Sequence, residues 1–191
     1  RIIHAILSIC LQRIGMKENP IRSTLETLQK LQHHIRTAFG DSEEFYKASP
    51  GQPLQGVVQG NGGGPTSWGA VSTPVINMIR EADFGFHHWT AISKQVLNIV
   101  GFAFVDDADL PHTSHDDATG ETILEEMQEV LDTWEGGIKA TGGALVPNKS
   151  YWYLIDFKCG STGKWTYRHK TEIPGELTLP SLTDDGRITI E

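Results

Sequence analysis

The sequence predicts an α+β fold. Apolar residues recur at helical spacing in several separate stretches, and short runs rich in Val, Ile and Phe lie between and after them, bounded by turn residues. No internal repeat imposes a solenoid, and helices mixed with short strands in this order suit an α+β layering. With 191 residues and 38% hydrophobic side chains, the chain is long enough to bury a core.

The first helix is expected between Ile2 and Gly15, where Ile3, Ile6, Leu7, Cys10, Leu11 and Ile14 recur at helical spacing and Gly15 supplies a stop. A second is expected from Asn19 as N-cap, through Pro20 in the first turn, to Gly40. Ile21, Leu25, Leu28, Ile35 and Phe39 form its stripe. From Asp41 to Gly64 the pattern breaks into polar and turn residues, ending in Gly60-Asn61-Gly62-Gly63-Gly64. A helix over 66–82 follows, with Pro74 as a kink. Gln95 to Val105 reads as a buried strand running into a tight turn, with Ala108 to His112 returning. A strong helix then carries Ile123, Met127, Val130 and Trp134 on one face, with Leu124, Leu131 and Ile138 beside them. Glu121, Glu125, Glu126, Glu129 and Asp132 lie on the other, solvated face. Gly136-Gly137 and Gly142-Gly143 are expected to loosen or end it. Tyr151 to Phe157 with Lys164 to Arg168 reads as one hairpin, and Glu176 to Ile190 as another turning at Asp185-Gly186.

Charge is distributed unevenly. The formal net charge is −8, yet residues 1–40 carry a local +4 and residues 41–150 a local −11. Eleven carboxylates and no Lys or Arg lie between Asp106 and Glu135. This balance argues against a basic nucleic-acid clamp within the chain. Cys10 and Cys159 provide neither a disulfide framework nor a Cys-based zinc module. No apolar run approaches the ~20 residues of a membrane span, and no signal peptide is visible, so an intracellular, nuclear or cytoplasmic protein is expected.

Three local features bear on chemistry. Phe104-Val105-Asp106-Asp107 delivers two adjacent carboxylates at a strand end, a costly pairing unless a cation offsets it. Hard oxygen donors of this kind suit Mg²⁺. Gln59-Gly60-Asn61-Gly62-Gly63-Gly64-Pro65 precedes a helix N-terminus, where backbone can approach an anionic ligand, but no Gly-Lys-Ser/Thr closes it as a P-loop. Lys149 is a lone cation between the acidic helix and Tyr151-Trp152-Tyr153. His112-x-x-His115 with Asp116 and Asp117 has metal-like composition but no Cys partner, and the pairs His33-His34 and His87-His88 read as polar helix faces.

Taken in order, these features resemble the reverse transcriptases of retroelements. Gln59-Gly60 with Pro65 and a helix is similar to motif B, Phe104-Val105-Asp106-Asp107 to motif C, and the acidic helix leading to Asn148 and Lys149 to motif D. Tyr151 to Arg168 falls where the family has a hairpin near the primer. The resemblance implies a partial palm over residues 1–170, motifs B to E, with residues 171–191 as an extension. Its fold would be a palm-like antiparallel sheet packed on helices, truncated at both ends. It implies template-directed nucleotidyl transfer from deoxynucleotides to a primer 3′-hydroxyl, with RNA template, DNA primer and two Mg²⁺ ions as partners. Asp106 and Asp107 would hold metal, Lys149 would lie near the triphosphate, Gln59 and Gly60 would line the nucleotide pocket, and Phe104 would pack near the primer end. Gly64 replaces the Ser common before the motif B Pro. The motif A aspartate has no candidate within the chain, so it is expected upstream of Arg1 and the fragment alone is expected to be inactive. A degenerate remnant with only a structural or binding role is the alternative, and an unrelated Mg²⁺-dependent phosphotransferase a third reading.

Overall fold

The computed structural model describes residues 2–57, 62–104, 107–115, 117–173 and 175–191. It is a mixed α+β structure. Among the described residues there are four α-helices and ten short strands, the strands pairing as five separate two-stranded antiparallel ribbons. Two compact units form, one from Arg1–Pro74 with Thr141–Gly143, the other from Val75–Ala140 with Ala144–Glu191.

In the first unit, α1 (His4–Arg13) buries Leu7, Cys10 and Leu11 against Ile2, Ile21, Ala70 and Val71. Gly15, at φ +90°, ends the helix as expected, but Ile14 is exposed rather than part of the stripe. The second helix, α2 (Glu18–Lys30), has Lys17 rather than Asn19 at its N-cap position and no side-chain cap bond, with Pro20 in its first turn, where a missing N–H costs little. It also stops ten residues short of Gly40. Leu31 turns extended at ψ 139°, and β1 (His33–Thr37) pairs with β2 (Gly40–Tyr46). His33 stacks on Tyr46 and Arg36 holds Asp41 at 2.6 Å, so cross-strand partners take over from helical spacing. Ile35 and Phe39, expected on a helix stripe, are exposed on this ribbon, and part of the expected loop after Asp41 is strand. The His33-His34 pair therefore lies on a strand. Gln29 clips the returning chain, donating to Leu54 O at 2.7 Å and accepting from Leu54 N–H at 3.1 Å.

α3 (Gly64–Glu81) keeps Pro74 inside and supplies its second half to the second unit. There β3 (Phe86–Trp89) pairs with β4 (Val96–Ile99), and β5 (Phe102–Phe104) with β6 (Asp107–Asp109). The single buried strand expected over 95–105 is thus two short ones separated by Val100-Gly101. Among the described residues of that stretch only Val100 is buried, while Phe102 and Phe104 face solvent. The returning strand is likewise shorter than expected and begins at Asp107. His87-His88 lies on β3, not on a helix.

α4 (Gly120–Ala140) starts at Thr119, whose Oγ1 accepts from the Thr122 N–H, and runs straight through Gly136-Gly137. A Cβ at Gly137 would lie 2.7 Å from Val75 Cγ1, so this glycine permits close helix packing rather than ending the helix. Leu124 and Leu131 join Leu177, Leu179 and Ile190 in one buried cluster. These last three come from β9 (Thr178–Pro180), β10 (Arg187–Thr189) and their flanks, the hairpin expected at the end of the chain. β7 (Phe157–Cys159) and β8 (Trp165–Tyr167) form the other expected hairpin, but Tyr151 to Ile155 is not strand, with Trp152 N–H donating to Glu191 O at 2.8 Å.

The acidic face of α4 is not simply solvated. Arg168 bonds Glu121 at 2.8 Å and Asp156 at 3.3 Å, while Arg187 bonds Asp132 at 2.6 Å. The Arg168 guanidinium holds the Glu121 carboxyl below its ordinary value. A carboxylate lowered in the folded state adds stability that is full above its unfolded value of about 4.3 and is lost as pH falls through the folded one. Arg168→Gln should therefore lower the melting temperature at pH 7, with the gap to the parent narrowing as the pH is taken from 4 towards 3. A gap of equal size at pH 7 and pH 3 would contradict the assignment.

Candidate functional site around the Asp106-Asp107 hairpin

The apolar run Phe102-Ala103-Phe104 forms β5 because β6 offers it a backbone partner. The register places Phe102 opposite Asp109, Ala103 opposite Ala108, and Phe104 opposite Asp107. Two residues, Val105 and Asp106, connect the strands, and both lie outside the described residues. A two-residue connection is the tightest common hairpin link. Gly101 opens the ribbon where space is short, since a Cβ there would lie 3.1 Å from Asp109 O.

Phe104 and Asp107 therefore sit side by side near the tip, both exposed to solvent. Among the described residues, no cation or hydrogen-bond donor engages the Asp107 carboxylate. An open carboxylate at the end of a hairpin is a donor of the type Mg²⁺ accepts alongside water and phosphate oxygens, so the described half of the pair fits such an ion. Among the described residues no three His, Cys, Asp or Glu side chains converge as a metal cluster. Gln59 and Gly60, like Asp106, lie outside the described residues. Lys149 ends a 3₁₀ turn (Pro147–Lys149) and is exposed, its N–H donating to Val146 O at 2.9 Å. Of the expected site residues, the structure thus brings Phe104 and Asp107 together and places Lys149 on a separate element.

The root of the hairpin is more elaborate than its tip. Ile76, Ile79, Val100, Phe102, Leu110 and Trp134 surround one small cavity, packing the ribbon's base over the second half of α3 and over α4. Three residues beyond β6, His112 Nε2 meets Glu126 Oε2 at 2.8 Å, and its Nδ1 faces the Gly85 N–H at 3.4 Å. These partners fit a neutral ring protonated on Nε2. Ser114 donates to the other Glu126 oxygen at 3.0 Å. Burial pushes the Glu126 carboxyl up, but the bonds from His112 and Ser114 outweigh it and hold the carboxyl below its ordinary value. Thr113 N–H donates to Gly85 O at 3.0 Å, and Thr113 Oγ1 accepts from the His87 N–H at 3.0 Å. The metal-like His112-x-x-His115 pattern thus resolves into separate pairs, His112 with Glu126 and His115 with Asp117.

The sequence singles out neither Gly85 nor Thr113, marks His112 only as part of a metal-like pattern, and places Glu126 on a solvated helix face. The signal was weak: a Gly beside an aromatic strand, and a His just past the acidic box. Comparison with protein-family models, curated proteins and solved structures finds no match for this chain. Among the described residues, no helix is long and apolar enough to cross a membrane.

Proposed function

We propose that this chain carries the motif B to E portion of an RNA-directed DNA polymerase palm, which transfers deoxynucleotides to a primer 3′-hydroxyl on an RNA template. The observation that supports this reading is the β5–β6 hairpin, in which Phe104 pairs with Asp107 and only Val105-Asp106 intervene. That arrangement is what an aromatic-x-Asp-Asp box requires if its carboxylates are to stand at an accessible tip. Asp106 and Asp107 would hold the metal. Two Mg²⁺ ions, when bound, would activate the primer hydroxyl and neutralise the departing pyrophosphate. Phe104, exposed beside Asp107, offers a flat apolar surface to the primer end or incoming nucleotide. Lys149 supplies a positive charge for the triphosphate. Gln59 and Gly60 contribute to the nucleotide pocket from the segment ahead of α3.

Primer extension tests the reading, using an RNA template, a DNA primer and Mg²⁺ with protein that includes the coding sequence upstream of Arg1. Template-directed synthesis is expected, and it should be lost in Asp106→Asn and in Asp107→Asn. No synthesis by the extended protein, or synthesis that survives both substitutions, would overturn the proposal in favour of a remnant with a structural role.

A further inference from the structure

The β5–β6 ribbon has only three residue pairs, all six residues largely exposed although its base packs on α3 and α4, and an isolated hairpin of that size is marginal in water. Something outside it must hold its tip in place. Both of its legs return to the same end of β3. On the incoming side, β4 leads into β5 through Val100-Gly101, and its last residue, Ile99, pairs with Phe86. On the outgoing side, the chain from β6 reaches His112 and Thr113, which bond the Gly85 and His87 backbone on either side of Phe86. The incoming leg is secured by a four-pair ladder. The outgoing leg has no ladder after Asp109, so its position depends on this short set of contacts together with Leu110 in the root cavity and the Ser114–Glu126 bond.

Within the pair His112 and Thr113, His112 is singular, because it alone also reaches α4. Its ring is buried, lies edge-on to Phe84 at 5.9 Å, and joins the start of β3 to Glu126 in the middle of α4. We infer that His112 is a positioning residue, a latch between β3 and α4 that fixes the outgoing leg of the hairpin and thereby the placement of Asp107 near its tip. The inference rests on the polymerase reading for its consequence, but the latch itself is a property of the chain alone. His112 does not touch the Asp107 carboxylate, and it acts through Leu110 and Pro111, which join it to β6.

The test uses the 191-residue chain and two readouts. Amide hydrogen exchange over 102–109 reports the hairpin, with the β9–β10 hairpin of the same unit as reference. Weak Mn²⁺ binding, read by electron paramagnetic resonance, reports the carboxylates. His112→Phe keeps a ring beside Phe84 but removes both hydrogen bonds, and should speed exchange over 102–109 about tenfold, as expected for loss of one part-buried, charge-assisted bond. Exchange over 178–189 should stay at the parent rate, and Mn²⁺ affinity should fall. His112→Gln, whose amide can donate to Glu126 and accept from Gly85, should restore both readouts to within about threefold. Glu126→Ala, at a half-exposed position, should loosen the same peptide and serves if the ring substitution fails to fold. Unchanged exchange over 102–109 in both the His112→Phe and the Glu126→Ala proteins, or equal acceleration in both hairpins, would overturn the latch. Parent Mn²⁺ binding that is insensitive to Asp107→Asn would count against the polymerase reading, while the exchange result would still decide the latch.

Discussion

Gly85→Ala is expected to lower the stability of the second unit by about 3 kcal/mol or more, a large effect for one methyl group. Gly85 sits at φ +130°, a region that side-chain-bearing residues rarely adopt. A Cβ there would also fall 2.1 Å from Asn98 Oδ1 and 3.0 Å from Ile99 O. The first contact forces Asn98 to move, which threatens its donation to Phe84 O at 3.2 Å. The second is with backbone in the β3–β4 ladder and has no cheap escape. Gly85 also gives its N–H to His112 and receives the Thr113 N–H, so any shift of its peptide loosens the hairpin root. Urea unfolding followed by tryptophan fluorescence measures the loss. Gly163→Ala is the control, since Gly163 has φ +76° but open space around its missing side chain, and about 1 kcal/mol is expected there. Equal losses at the two positions would mean that backbone strain alone, and not the close approach of β3 to β4, explains Gly85.

Leu179→Ala is expected to cost roughly 2–5 kcal/mol, the range for removing a fully buried leucine side chain. Leu179 has no exposed surface and packs in a cluster with Leu124, Leu131, Leu177 and Ile190. The site cannot easily collapse, because Gln128 pins the neighbouring Thr178 backbone on both its N–H and its carbonyl. Ile188→Ala on the facing strand, at a partly exposed position, should cost about 1 kcal/mol or less. Denaturant titration of both proteins tests the contrast. Near-equal effects would mean that the last hairpin is peripheral to the α4 core.

The pattern of agreement between sequence and structure follows the range of the forces involved. α1, α3 and α4 were legible because apolar residues recur at helical spacing and local signals such as Gly15 and Pro65 mark their ends. The second helix was overextended because Ile35 and Phe39 happen to fall in phase with Leu28. What decides their conformation is a partner strand, and His33 meets Tyr46 thirteen residues away. The acidic face of α4 looked solvated because its cations, Arg168 and Arg187, come from 47 and 55 residues downstream of their partners. At the candidate site the chain reversal between Phe104 and Asp107 was readable, since a short apolar run ending in two aspartates implies a turn. The root was not. Gly85, His112 and Glu126 are spread over more than forty residues, and nothing in their local sequence announces that they meet.

Those long-range bonds along α4 also set what kind of change the chain tolerates. Glu121, Gln128 and Asp132 are spaced so that three downstream groups, Arg168, Thr178 and Arg187, each find a partner on one helix. The helix acts as a ruler for everything that follows it. Conservative replacement at one mark disturbs only the bonds of that mark, whereas inserting a single residue between Glu121 and Asp132 turns the later marks by about 100° relative to the earlier ones. The length of this segment is therefore under tighter physical constraint than its composition, and indels, far more than substitutions, are what it excludes.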